Sequence, residues 1–159
     1  MIKVVEEITE RNIKGLKNEL YCQYFFTSIG YNVSVPLGED CKYDLVVDFG
    51  GHLTRIQVKT CREEKNGIIF SISSSSLKAG GKSVKRSYTK NDIDYFATVY
   101  NEQVYLIPIE ICGKGEKKLL FNEPNRFSSE SILLQNYKAE NQIAKIIEND
   151  TVDTKSYIL

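Results

Sequence analysis

KYDLVVDFGGHLTRIQVKT, residues Lys42 to Thr60, is the stretch on which the fold turns. Two runs rich in β-branched residues, Leu45 to Phe49 and Leu53 to Thr60, flank Gly50-Gly51. A Gly-Gly pair suits a two-residue hairpin because both glycines accept positive φ without steric cost. With those two residues as the loop, opposed positions sum to 101, which sets Asp44 across from Gln57 and makes Lys59 its diagonal neighbour on the same face. Opposed Cβ atoms in such a ladder lie about 5 Å apart and diagonal ones about 7 Å. An acid, an amide and an ammonium therefore converge closely enough to share one divalent cation or one phosphate. The other face carries Leu45, Val47, Ile56 and Val58, as a core requires. On an ordinary antiparallel hairpin the same polar trio would be a solvated salt bridge.

Upstream, the sequence predicts a helix over residues 9 to 29. Thr9 can cap it, Ile13, Leu16, Leu20 and Tyr24 recur at helical spacing as an apolar stripe, and Gly30 stands where a left-handed residue would end it. Glu19 lies at the edge of that stripe. Tyr31 to Val35 alternates as a short strand, Pro36 ends it, and Leu37 to Cys41 forms a polar loop into the hairpin. Downstream, Gly67 to Ser73 reads as a third strand, and Asp94 to Tyr100 with Gln103 to Ile109 as a second hairpin around Asn101-Glu102. Ser131 to Asn149 has helical character, with Ile132, Ile143, Ile146 and Ile147 as candidate buried positions.

Between Asn66 and Asn91 there is no acidic residue, whereas Lys78, Lys82, Lys85, Arg86 and Lys90 are basic and Gly80-Gly81 break any regular element. A mobile cationic loop is expected. It could simply be solvated, or it could capture phosphates, with Ser73 to Ser76 and Tyr88 adding neutral hydrogen bonds.

At 159 residues with 42% hydrophobic composition the chain suits one well-buried core, so residues 1–159 are expected to form a single domain, with a core over about 9–110 and a helical extension over about 113–159. Lysine plus arginine equals aspartate plus glutamate, 21 against 21, so only local charge can favour a polyanion. No signal peptide or membrane span is legible, and a cytoplasmic, intracellular protein is expected. Cys22, Cys41, Cys61 and Cys112 are scattered and His52 is the only histidine, which argues against a zinc site or a histidine-activated nucleophile and for reduced thiols in or near the core.

The spacing Asp-(12)-Gln-x-Lys on a hairpin after Pro36 resembles the PD-(D/E)XK nuclease superfamily, in the variant with Gln in place of Glu or Asp. YDLVVD with IQVKT resembles the small bacterial members that include intron-encoded homing enzymes. KGLKNE, Lys14 to Glu19, is similar to that family's helix segment Gly-x-x-Gly-Glu, with Asn18 in place of the second glycine. A serine- and glycine-rich stretch ending in Tyr88 is comparable too, so the resemblance runs from about Lys14 to Pro108.

The resemblance implies a restriction-endonuclease-like α-β-β-β-α-β core, a mixed central sheet flanked by helices. It implies a metal-dependent endonuclease of homing or restriction type acting on double-stranded DNA, with Glu19, Asp44, Gln57 and Lys59 as the catalytic set. Asp44 would be the main ligand of Mg²⁺ (or Mn²⁺), with the Val58 carbonyl and Glu19 completing the site, because the Gln57 amide is a weaker ligand for a hard cation. Lys59 would position the attacking water or stabilise developing charge. Lys78, Lys82, Lys85, Arg86, Tyr88 and Lys90 would contact DNA. Cutting both strands implies a symmetric dimer or tetramer. A Holliday-junction-type nuclease and a DNA-binding module with a lapsed centre are the alternatives.

Overall fold

The hairpin forms where the Gly-Gly pair places it. Strands β2 (Leu45–Asp48) and β3 (Leu53–Val58) pair antiparallel with Leu45 opposite Ile56 and Asp48 opposite Leu53, the register that sums to 101. Gly50 (φ +71°) and Gly51 (φ +104°) make the turn, closed by the Phe49 amide donating to the His52 carbonyl at 3.0 Å. The structure, a computed structural model, describes residues 10–38, 40–77, 83–123 and 132–153.

Around the hairpin stand α1 (Glu10–Ser28), β1 (Asn32–Ser34), β8 (Tyr95–Tyr100) and β9 (Gln103–Pro108). The central sheet runs β1-β2-β3-β8-β9 and is mixed: β3 and β8 are parallel and every other neighbouring pair is antiparallel. The second hairpin turns on Asn101 (φ +47°) and Glu102 (φ +61°), as expected. A small sheet of β4 (Arg62–Glu63), β5 (Gly67–Ser71) and β10 (Glu116–Leu120) runs in the order β10-β5-β4. Strands β6 (Ser73–Leu77) and β7 (Ser83–Ser87) form a separate antiparallel ribbon, and α2 (Ala139–Asp153) closes the described chain.

The mixed sheet and two flanking helices match the expected architecture. The element order departs from it. Among the described residues no helix joins β3 to β8; strands β4 to β7 make that connection, and the predicted third strand belongs to the small sheet. The expected mobile loop is largely the β6–β7 ribbon, because SSSSL and SVKRS pair from Ser73 opposite Ser87 to Leu77 opposite Ser83. Lys78, Gly80, Gly81 and Lys82 lie outside the described residues.

Two apolar layers flank the sheet. On one face, Cys22 and Phe26 of α1 and Ala139 and Ile143 of α2 pack with Leu45, Val47, Ile56, Val58, Val104 and Leu106. On the other, Ile68, Phe70 and Leu119 of the small sheet pack with Phe96 and Ile107. Helix α1 does not bury its expected stripe: Ile13, Leu16, Leu20 and Tyr24 are 40, 53, 53 and 68% exposed, while Cys22 and Phe26 are fully buried. The helix is apolar on two sides, and the sheet takes the side that carries Glu19, one turn before Cys22. In the C-terminal part, α2 starts at Ala139 after a short 3-10 turn, Leu134–Tyr137; Ile143 is buried, Ile132 and Ile146 are partly buried, and Ile147 is exposed. Of the cysteines, Cys22 and Cys61 are buried, Cys112 is partly so, and Cys41 is exposed, contrary to a core position for all four.

The small sheet rests on one glycine. A Cβ on Gly67 would lie 2.2 Å from the Leu119 carbonyl oxygen and 3.1 Å from its carbon, both backbone atoms that cannot step aside without breaking the β5–β10 ladder. Gly67→Ala should therefore cost about 3 kcal/mol, the upper end for overpacking. A urea melt with an unchanged midpoint would contradict the seating of β10 on β5.

Candidate active site

The expected register holds through Leu45 and Ile56 but not at Asp44. Beyond β2 the Asp44 amide donates to the Ile56 carbonyl at 2.9 Å, one residue short of Gln57, so the ladder shifts where Asp44 begins it. The side chains still meet. Asp44 Oδ2 accepts from Gln57 Nε2 at 2.5 Å and from the Val58 amide at 2.7 Å. Burial raises the Asp44 pKa, opposed by those two hydrogen bonds and by the charge of Lys59.

Glu19 approaches from α1. Burial raises its pKa and the charge of Asp44 raises it further, so the two carboxylates sit close enough to repel. Cys22, one turn along, is pushed up to about 12 by burial and by the same two acids, so it stays a neutral thiol. Asn18 donates from Nδ2 to Thr60 Oγ1 at 3.2 Å and so ties the helix to the end of β3. A Cβ at Gly15 would meet nothing within 4 Å, so the approach of helix to hairpin rests on Cys22, Phe26 and that amide and not on a glycine contact.

Lys59 is fixed at both ends. Its amide donates to the Ala97 carbonyl at 2.8 Å, and its carbonyl accepts from Thr98 Oγ1 at 2.8 Å, so the parallel strand β8 sets its backbone. Its ammonium donates to the Ser73 carbonyl at 3.3 Å and the Tyr88 hydroxyl at 3.4 Å and lies 4.9 Å from the Tyr88 ring centroid. Burial lowers its pKa, with Asp44 pulling the other way. Tyr88 is pushed up to about 12, by burial first and then by Asp44.

Of the basic residues singled out by sequence, Lys85 and Arg86 are exposed on β7. Lys90 pairs with Glu110 at 3.0 Å, and Lys78 and Lys82 fall outside the described residues. Sequence reasoning missed Arg55. It grips Asp94 through Nε at 3.1 Å and Nη2 at 2.8 Å, and the Lys90 and Asn91 carbonyls at 2.8 and 2.6 Å, pinning the segment after Tyr88 to β3. Asp94 was expected to open the first strand of the second hairpin, which in fact starts at Tyr95, and that strand end is where a partner for a mid-strand arginine could have been sought. Among the described residues no group of three or more His, Cys, Asp or Glu could hold a metal ion; the centre has two carboxylates with an amide between strands.

Comparisons with known proteins cover about two thirds of the chain or more. The family model for PD-(D/E)XK endonucleases matches residues 18–139. Protein 5.3 of Escherichia phage T7 is 31% identical over 108 residues, 67% of this chain and 88% of the phage protein. The solved bacterial homing endonuclease I-Ssp6803I superposes with a TM-score of 0.69 at 21% identity, covering 92% of this chain and 98% of its own, a likeness of fold.

Proposed function

The chain belongs to the PD-(D/E)XK endonuclease family, and on that footing we propose that it cuts double-stranded DNA at a defined site with a divalent cation, Mg²⁺ or Mn²⁺, held by Asp44, Glu19 and the Val58 carbonyl. The observation that carries this reading is the Gln57–Asp44 hydrogen bond, with Lys59 and Glu19 each close enough to exchange charge effects with Asp44. Two partly buried carboxylates, one of which feels the charge of the other, would be relieved by a cation between them, and an all-oxygen donor set suits a hard divalent ion. When bound, such an ion would neutralise the scissile phosphate and acidify a water.

The chain's own residues divide the remaining work. The Val58 amide and Gln57 hold the Asp44 carboxylate in one orientation. Lys59, placed by β8, puts a cation beside the reacting phosphate, where it stabilises developing charge or orients the attacking water. Two cuts across a duplex need two copies of the site, which makes the working form a symmetric dimer or tetramer on a palindrome-like target. One observation favours a lapsed binding module instead: Gln57 leaves the hairpin a single carboxylate at this point. The deciding experiment incubates the protein with long DNA spanning the genomic flanks of its gene and sequences the ends produced. Discrete ends in Mg²⁺ support the enzyme, and binding without cutting under every divalent ion supports the binder.

The ribbon supplies the phosphate contacts in this reading. Lys85→Ala with Arg86→Ala should lower affinity across all sequences and flatten the slope of log affinity against log salt by up to about 2, one counterion for each contact. An unchanged slope would leave the ribbon a solvated surface.

A further inference from the structure

The β6–β7 ribbon leaves the body of the protein at Ser73 and returns to it at Tyr88, and both residues hold the same atom, Lys59 Nζ. A lysine side chain carries about 2 kcal/mol of rotamer entropy, so an unsupported ammonium wanders. Here the ammonium donates one hydrogen bond to the Ser73 carbonyl and another to the Tyr88 hydroxyl, and the Tyr88 ring lies 4.9 Å from the charge. The ring has support of its own. It packs edge-on against Phe96, centroids 5.3 Å apart at 86°, and Phe96 is fully buried and stands beside Gln57 in the β3–β8 register. Thr89, next in the chain, is capped by Asp92 through 2.8 and 2.9 Å hydrogen bonds, and Arg55 binds the segment to β3. The sequence favoured Tyr88 as a phosphate contact; its hydroxyl is instead engaged with Lys59 and with Ser74.

We propose that Tyr88 is a positioning residue that fixes the Lys59 ammonium in the active site. The inference rests on the reading of Lys59 as a group acting at the reacting phosphate, and it predicts that the aromatic ring matters more than the hydroxyl. Tyr88→Leu removes both, and misplacement on the scale of 1 Å lowers turnover about 100-fold. Tyr88→Phe keeps the ring and its packing on Phe96, and should recover most of that loss, because the 3.4 Å hydroxyl contact is at the long limit of a hydrogen bond.

The test uses the full chain, a plasmid carrying the gene's genomic flanks, and Mn²⁺, with single-turnover rates and DNA affinity measured separately. The expected result is a slowed rate with unchanged affinity in Tyr88→Leu, restored by Tyr88→Phe. A second readout needs no cleavage: the ε-methylene protons of Lys59, assigned by their loss in Lys59→Arg, should be shifted upfield by the ring in wild type and Tyr88→Phe and return to ordinary positions in Tyr88→Leu. A Tyr88→Leu protein that cuts at the wild-type rate, loses only affinity, or leaves the Lys59 signals unmoved overturns the proposal. If Lys59→Ala cuts normally, the catalytic reading of Lys59 falls first; if it is dead while Tyr88→Leu is fully active, only the positioning role fails.

Discussion

Asp44→Asn is expected to cleave DNA at least about 10³-fold more slowly than wild type, because charge stabilisation at a phosphoryl centre is worth several kcal/mol and each ~1.4 kcal/mol is tenfold in rate. The fold should survive the change. Asp44 sits on the polar face of the hairpin, and an asparagine oxygen can still accept from the Val58 amide. Affinity for DNA should hold or rise, since a negative charge has gone. Lys59→Ala should be similarly inactive, as it removes the one ammonium that strand β8 delivers to the site. Cleavage rates in saturating Mg²⁺, with circular dichroism as the folding control, check both. Near-normal cutting by either variant would move the active centre elsewhere.

Removal of the divalent ion should abolish cleavage altogether. With EDTA no product is expected, with Mg²⁺ or Mn²⁺ product should appear, and with Ca²⁺ DNA should be bound but not cut, because a larger ion with looser geometry aligns and acidifies a water poorly. The free protein should hold the ion weakly. Among the described residues two carboxylates, Asp44 and Glu19, share the place, and Gln57 turns a donor, not an acceptor, toward Asp44. Gln57→Glu would set a third acid against Asp44, so its melting temperature should rise on adding Mg²⁺ more than wild type's does. Product formed in EDTA would eliminate the metal reading.

The hairpin was legible in the sequence because every level agreed there: β-branched runs, alternation and a turn that only glycine makes easily. The nearness of Asp44 and Gln57 was legible from that register, although the ladder itself shifts by one residue at Asp44. Helix α1 was legible as a helix but not in its orientation. Ile13, Leu16, Leu20 and Tyr24 make the cleaner stripe, yet Cys22 and Phe26 face the sheet, and periodicity alone cannot say which of two apolar sides a neighbour will cover. Glu19 was found through its motif context, although its spacing from Cys22 was the physical clue. The β6–β7 ribbon escaped because serine runs carry little strand signal, and the Arg55–Asp94 clamp because it joins residues far apart in sequence.

The parallel pairing of β3 with β8 has a consequence for the order in which this protein acquires its shape. Hairpins with two-residue turns close in roughly 1–10 μs, and the β2–β3 and β8–β9 hairpins are both of that kind. The β3–β8 ladder joins positions 39 apart, Ile56 with Tyr95, and long-range pairings of that sort are slow because chain closure precedes any reward. Asp44 and Gln57 therefore meet early, in a nascent hairpin, whereas Lys59 gains its anchors on Ala97, Thr98 and Tyr88 only after the distant strand has docked. A partly folded chain that lacked the β3–β8 ladder would thus carry the acid without its ammonium in place.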